Sequence, residues 1–241
     1  MSEEIENHKI VAHKLVQIKD EVFSFIRDNL GKITEYDVQR FILKRYEEEL
    51  IIIDKDAPIV AINKNTSFIH YFPKKNSEII TKDSLILIDL WGGLKDKKSF
   101  FGDITWMAYS GKSIPKEIQE AFDRVICARD VSIEFIKKSL KNKILPKCSE
   151  VDKVARESLG ESAKYFAHNL GHSIGFDNCH GKDFILGKSC DKKLELNIPF
   201  TIEPGIYFEN KFGVRSEIDC YVDNNYELII ASSIQDKIIL L

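Results

Sequence analysis

Four acidic residues stand at matched positions in this sequence: Asp89, Asp103, Glu203 and Glu217. Within each pair the acids are 14 residues apart, and the second pair follows the first at an offset of 114. Asp89 closes the apolar run Leu85-Ile86-Leu87-Ile88, and Glu203 closes Pro199-Phe200-Thr201-Ile202. The partners lie in Gly102-Asp103-Ile104-Thr105 and Ser216-Glu217-Ile218-Asp219. A single strand-end acid would be an ordinary solvent-facing side chain. The repeated offset instead points to two matched halves that bring two carboxylates each to a shared pseudo-twofold axis. Gathered in a partly dry site, four carboxylates raise one another's pKa steeply, so the cluster requires cations. Hard oxygen donors suit Mg²⁺ or Mn²⁺, and one imidazole among them shifts the choice toward Mn²⁺, Fe²⁺, Co²⁺ or Zn²⁺. His172 is that candidate, in His168-Asn169-Leu170-Gly171-His172-Ser173-Ile174-Gly175, where glycines permit close backbone approach. Such a set fits a two-metal hydrolytic site, in which water shared by two ions loses a proton near neutral pH and attacks a polarised carbonyl.

The elements that must position these residues also read as a repeat. Val11, Leu15, Ile18, Val22, Phe25 and Ile26 recur at three- and four-residue steps, which predicts a helix that Gly31 closes. Thr34-Glu35-Tyr36-Asp37 supplies an N-cap for a second helix carrying Val38, Phe41 and Ile42. Apolar runs at 50–53, 59–62, 68–72 and 85–90 read as strands. A long helix opened by Pro115 follows, with Ile118, Phe122, Val125, Ile126, Ile133 and Ile136 inward. Ser149-Glu150-Val151-Asp152 then repeats the first cap at an offset of 115.

Composition narrows the class. The 241 residues are 44% hydrophobic, and 35 Lys and Arg against 38 Asp and Glu leave a net charge of −3, which suits one domain over residues 1–241, with length for one large core or two small ones. No apolar run approaches the ~20 residues needed to cross a bilayer. The acidic start Met1-Ser2-Glu3-Glu4 lacks the basic and apolar regions of a secretory signal, so a cytoplasmic location is expected. Cys127, Cys148, Cys179, Cys190 and Cys220 form no CxxC pair, as reduced thiols would. The near-neutral balance offers no electrostatic case for nucleic acid.

Asp89, Gly102-Asp103-Ile104-Thr105, Gly171-His172-Ser173-Ile174-Gly175, Thr201-Ile202-Glu203-Pro204-Gly205 and Gly213-Val214-Arg215-Ser216-Glu217 occur in the order seen in the pita-bread metallopeptidases. That superfamily includes aminopeptidase P, prolidase, methionine aminopeptidase and creatinase, and the resemblance is strongest to the catalytic domain of Xaa-Pro peptidases. It implies an α+β fold of two pseudo-twofold-related helix-helix-sheet halves around a curved, mostly antiparallel sheet. It further implies that Asp89, Asp103, His172, Glu203 and Glu217 hold two divalent ions, with Mn²⁺ favoured over Co²⁺, Zn²⁺ or Fe²⁺. Asp103 and Glu217 would bridge the ions, and Glu203 would also handle the nucleophile's proton. His70, in Asn65-Thr66-Ser67-Phe68-Ile69-His70-Tyr71, and His180 resemble histidines that face the substrate, and Arg215 resembles an arginine that supports the bridging acid or the substrate.

The activity so implied is hydrolysis of the amino-terminal bond of Xaa-Pro peptides through a metal-bridging hydroxide. Methionine aminopeptidase and a metal-free binding protein stand as alternatives. The resemblance leaves a homodimer open and expects no amino-terminal domain of the creatinase type. Departures accompany it: a longer hairpin over 91–101, one residue more than expected between His172 and His180, Gly181 where relatives place an acid, and Trp106 where Arg is common.

Overall fold

A computed structural model describes residues 2–241. The first helix, α1 (Glu3–Asp28), begins at Ser2, whose side chain accepts from the Ile5 N–H, and places Glu3, Glu4 and Glu6 at the positive end of the helix dipole. It ends at Asn29, and Gly31 takes a left-handed turn (φ +77°) beyond the cap rather than at it. In α2 (Glu35–Glu48) the Thr34 hydroxyl accepts from the Asp37 N–H while the Asp37 carboxylate accepts from the Thr34 N–H, a reciprocal cap. Both helices lie on a sheet built from β1 (Ile51–Ile52), β2 (Ile59–Ile62), β3 (Leu85–Leu94) and β4 (Gly102–Tyr109).

Strand alternation decides what that sheet presents. Ile86, Ile88 and Leu90 on β3 and Ile104, Trp106 and Ala108 on β4 pack against Val11, Leu15, Ile18, Val22, Val38 and Ile42 of the helices. Successive strand side chains point to opposite faces, so Leu85, Leu87, Asp89 and Trp91 share the other face of β3, and Asp103, Thr105 and Met107 that of β4. Asp89 therefore sits in mid-strand. The sequence reading placed it at a strand end, but β2 and β4 both pair with β3 at Asp89 and carry the strand past it.

The second half repeats the plan. It has α3 (Lys116–Lys141), α4 (Cys148–Leu159), β5 (Gly171–Ile174), β6 (His180–Leu186) and β7 (Phe200–Ile202). The ribbon β8 (Gly205–Phe208) and β9 (Phe212–Arg215) precedes β10 (Ile218–Val222) and β11 (Leu228–Ile230), and β12 (Ile239–Leu240) returns to pair with β4. The second sheet runs β11-β10-β7-β5-β6, and among the described residues every strand pair is antiparallel except β12 with β4. The two sheets meet where the Glu217 N–H donates to the Thr105 carbonyl at 3.3 Å. The architecture is thus the α+β pita-bread arrangement, its curved surface divided into two five-stranded sheets and a ribbon.

Other expectations needed correction. Residues 68–72 form no strand. Thr66 and Ser67 hydroxyls donate to the carbonyls of Asn63 and Lys64, which holds Asn63–Ser67 in a 3₁₀ turn and leaves Phe68 exposed. Ile126 is half-buried rather than inward. The α4 cap falls at Lys147, whose N–H donates to Glu150 at 2.9 Å, so Ser149 lies inside the helix and the caps repeat at 113 rather than 115. No helix among the described residues is long and apolar enough to cross a membrane.

His8 on α1 is fully buried, and its Nδ1 meets the Phe101 carbonyl at 2.7 Å. Burial pushes the imidazole down from an ordinary 6.5 to about 4. Between those values the unfolded chain binds the extra proton, so stability is full above pH 6.5 and falls as pH drops toward 4. Urea unfolding of the wild type and His8→Gln at pH 7 and pH 4 checks this. The wild type is expected to lose about 3 kcal/mol more than the variant, whereas equal losses would show that His8 is not the group responsible.

Candidate metal centre

A cavity of about 340 Å³ opens between the two sheets. Its lining includes Asp89, Asp103, His172, Glu203 and Glu217, together with His70, His180 and Arg215. All eight site residues singled out in the sequence therefore face one space. Asp89 and Asp103 come from paired strands of the first half, and His172 from β5 of the second. Glu203 follows β7 and Glu217 joins β9 to β10. A side chain at Gly171 would place its Cβ 2.1 Å from the Thr201 carbonyl oxygen, so only glycine lets β5 lie against β7 and bring His172 beside Glu203.

Ligand-capable atoms of Asp103, His172 and Glu217 all lie within 4.8 Å of one another. His172 Nε2 is 3.7 Å from Asp103 Oδ2 and 3.5 Å from Glu203 Oε1. Two donors about 2.0 to 2.2 Å from a common ion stand about 3 to 4 Å apart, so these spacings fit a shared ion. His172 Nδ1 faces the Ser173 carbonyl at 3.0 Å, which puts the ring proton there and leaves the Nε2 lone pair toward the acids. Asp89 Oδ1 is buried with no hydrogen-bond partner among the described residues. An orphaned carboxylate oxygen in such a place is costly without a cation. The donor set, hard oxygens with one neutral imidazole, fits divalent ions of the Mn²⁺ to Zn²⁺ range.

Burial disfavours charge on each of these acids. It pushes Glu217 up to about 8, with the Asp89 charge adding to the effect. Asp103 and Glu203 are driven well above the usual carboxylate range by burial and then by Glu217. Asp89 is also raised by burial, although the Arg215 guanidinium pulls the other way. His172 is pushed down to about 3 by burial and by His180, so it stays neutral and ready to ligate.

Arg215 is 2% exposed and not a loose surface ion pair. Its Nη2 donates to Asp89 at 2.5 Å, its Nε to the Thr105 hydroxyl at 2.9 Å and its Nη1 to the Tyr207 hydroxyl at 2.9 Å. Thr105 passes its own proton to Glu217 Oε2 at 2.7 Å, so one guanidinium orients an acid from each half. Tyr207 in turn donates to His168 Nε2 at 2.9 Å, because His168 Nδ1 is committed to the Asn169 carbonyl at 2.8 Å. Asp219 accepts from the Asp103 N–H at 3.1 and 3.0 Å and pins that strand. Arg129, fully buried on α3, donates to Ser216 at 2.9 Å and steadies the connection that carries Glu217. Sequence reasoning gave no role to Thr105, Tyr207, Asp219, Arg129 or His168. Thr105 and Asp219 each stand two residues beyond a chosen acid, and period-two alternation is the signal that could have found them.

At the mouth, His180 is exposed, its ring centroid 4.3 Å from that of His172. His70 is exposed on the loop between β2 and β3.

The model for metallopeptidase family M24 matches residues 6–224. The chain belongs to that family. Members of M24 depend on divalent metal, and this site carries a triad able to bind one. An uncharacterized peptidase of Methanocaldococcus jannaschii is 27% identical over 234 residues, covering 92% of this chain and 62% of the relative. The crystal structure of an X-Pro aminopeptidase from Thermotoga maritima is 25% identical with a TM-score of 0.84, covering 99% of this chain and 63% of the other. A dipeptidase from Pyrococcus horikoshii, at 24% identity and a TM-score of 0.86, shares the fold over 100% of this chain and 63% of its own. This M24 chain thus spans about three fifths of the length of the relatives it matches.

Because buried acids here hold protons near neutrality, an entering divalent ion must displace them. Titration of chelator-stripped protein with Mn²⁺ at pH 7, by calorimetry in two buffers of different ionisation enthalpy, is expected to release roughly one proton or more per chain. Glu217→Gln should release fewer. Binding without proton release would exclude this cluster as the binding site.

Proposed function

We propose that this chain is a metal-dependent exopeptidase that releases the amino-terminal residue preceding proline. The observation that carries the reading is the convergence of Asp89, Asp103, His172, Glu203 and Glu217, drawn from both halves, on one cavity with histidines at its mouth. Likeness to a solved X-Pro aminopeptidase supports the substrate class. Divalent ions held by Asp89, Asp103, His172, Glu203 and Glu217 would supply a water acidic enough to ionise near neutral pH and a Lewis acid for the scissile carbonyl. The protein's residues do the rest. Glu203, partly buried beside His172, receives the proton of the attacking water and returns it to the leaving amine. His180 and His70 donate hydrogen bonds to the substrate carbonyl and its developing oxyanion. Arg215 keeps Asp89 and, through Thr105, Glu217 in place.

Ala-Pro, Ala-Pro-Ala and Met-Ala-Ser, each tested with added Mn²⁺ or Co²⁺, separate the alternatives. The Xaa-Pro peptides are expected to be cleaved, Glu203→Gln is expected to lower kcat by about 10² to 10⁴ with a smaller change in KM, and elemental analysis should find near two ions per chain. Cleavage of the methionyl peptide alone would make the protein a methionine aminopeptidase. A preparation active without metal would remove the mechanism.

A further inference from the structure

One wall of the cavity carries a carboxylate that the hydrolytic machinery does not use. Asp54, on the loop between β1 and β2, is half-buried and lines the same space. Its Oδ1 accepts from the Trp91 indole N–H at 3.1 Å and from the Asp56 N–H at 3.2 Å. Among the described residues its Oδ2 meets only the Cys179 thiol, at 3.7 Å, and a thiol is a weak donor. One oxygen thus fixes the group and the other keeps acceptor capacity. The nearest basic neighbour in sequence, Lys55, lines the same cavity, but its side chain is 88% exposed and pairs with Asp56 at 3.6 Å. Arg215 is committed to Asp89.

The anchors of Asp54 give its position relative to the reacting groups. Trp91 stands directly across the ladder from Asp103 and two residues along the same face from Asp89, about 7 Å on. Cys179 adjoins His180, whose ring lies against that of His172. Asp54 therefore sits one side-chain layer beyond the acid cluster, separated from it by an indole and a thiol. On the exopeptidase reading, the α-amino group of a substrate, two bonds from the scissile carbonyl carbon, stays close to the acids that would hold the metal. What reaches one layer further is the side chain of the first residue. Trp91 and Ile59, both in the lining, suit an aliphatic stem, and the indole face favours a cation at its end.

We propose that Asp54 makes this site selective for a first residue with a basic side chain, lysine or arginine, by pairing its carboxylate with the terminal cation. The inference rests on the exopeptidase reading above and deepens it. Asp54→Asn removes the charge while retaining an oxygen for the Trp91 and Asp56 donors, so the loop is preserved. Lys-Pro and norleucyl-Pro share the α-amine, the scissile bond and the stem, and differ in the cation. The wild type is expected to favour Lys-Pro in kcat/KM by about tenfold, as a charged hydrogen bond gives. Asp54→Asn should bring the ratio near one by slowing Lys-Pro alone, Trp91→Phe should lower it partway, and added salt should narrow it in the wild type. In parallel, calorimetry compares L-lysine with L-norleucine on the metal-loaded protein, where the same preference and its loss in Asp54→Asn are expected. An unchanged ratio in Asp54→Asn, or an equal fall for both peptides, overturns the proposal. If no peptide is cleaved, the exopeptidase reading fails, while the amino acid affinities still decide whether Asp54 recognises the cation.

Discussion

Like charge packed into a dry space is the constraint on which the rest of this structure depends. Asp89, Asp103 and Glu217 are each less than one-tenth exposed and Glu203 little more, and they share a single cavity. Burying one unpaired carboxylate is costly, and burying four together is more so, because each raises the pKa of the others. The fold meets this with one guanidinium rather than four. Arg215 touches Asp89 directly and reaches Glu217 through Thr105, leaving the remaining negative charge for a divalent cation. A divalent cation bound there would offset that charge, and its binding energy would add to folding energy as in other metal sites.

The scaffold serves that arrangement through two devices. Period-two alternation turns the apolar side chains of β3 and β4 onto α1 and α2 and the acids into the gap between sheets. Buried polar side chains then clamp the backbone at the seam: Asp219 on the Asp103 amide, and Arg129 on Ser216 and the Gln235 carbonyl. Gln235 itself accepts from and donates to the Met107 backbone, so the C-terminal segment helps hold β4, which carries Asp103. These groups are fully or nearly fully buried, and their polar atoms find partners, Arg129 Nη2 through ion pairs with Asp130 and Asp236.

Much of this was legible in the chain. The α1 and α2 stripes, the Thr34 cap and the four acids follow from local chemistry, since helix periodicity, a capping hydroxyl and a strand alternation act over a few residues. Residues 68–72 were misread because hydrophobicity alone cannot tell a strand from a loop pinned by Thr66 and Ser67. The second cap was misplaced by two residues because Ser149 looks like a cap in sequence, while Lys147 owes its position to a bridge with Lys193. Tyr207 and Arg129 gave no signal of their own, for each matters only through a hydrogen-bond partner that the fold brings to it.

By itself, the order of residues determined which side chains could do chemistry and which faces of helices and strands had to be buried, because those properties depend on neighbours a few positions away. Only tertiary structure decided that Arg215 is an internal strut rather than a surface charge, that His168 and Tyr207 join its hydrogen-bond chain, and that Asp54 stands on the wall of the same cavity. Each depends on contacts across 39 to 126 positions of chain, which no local pattern of residues reveals.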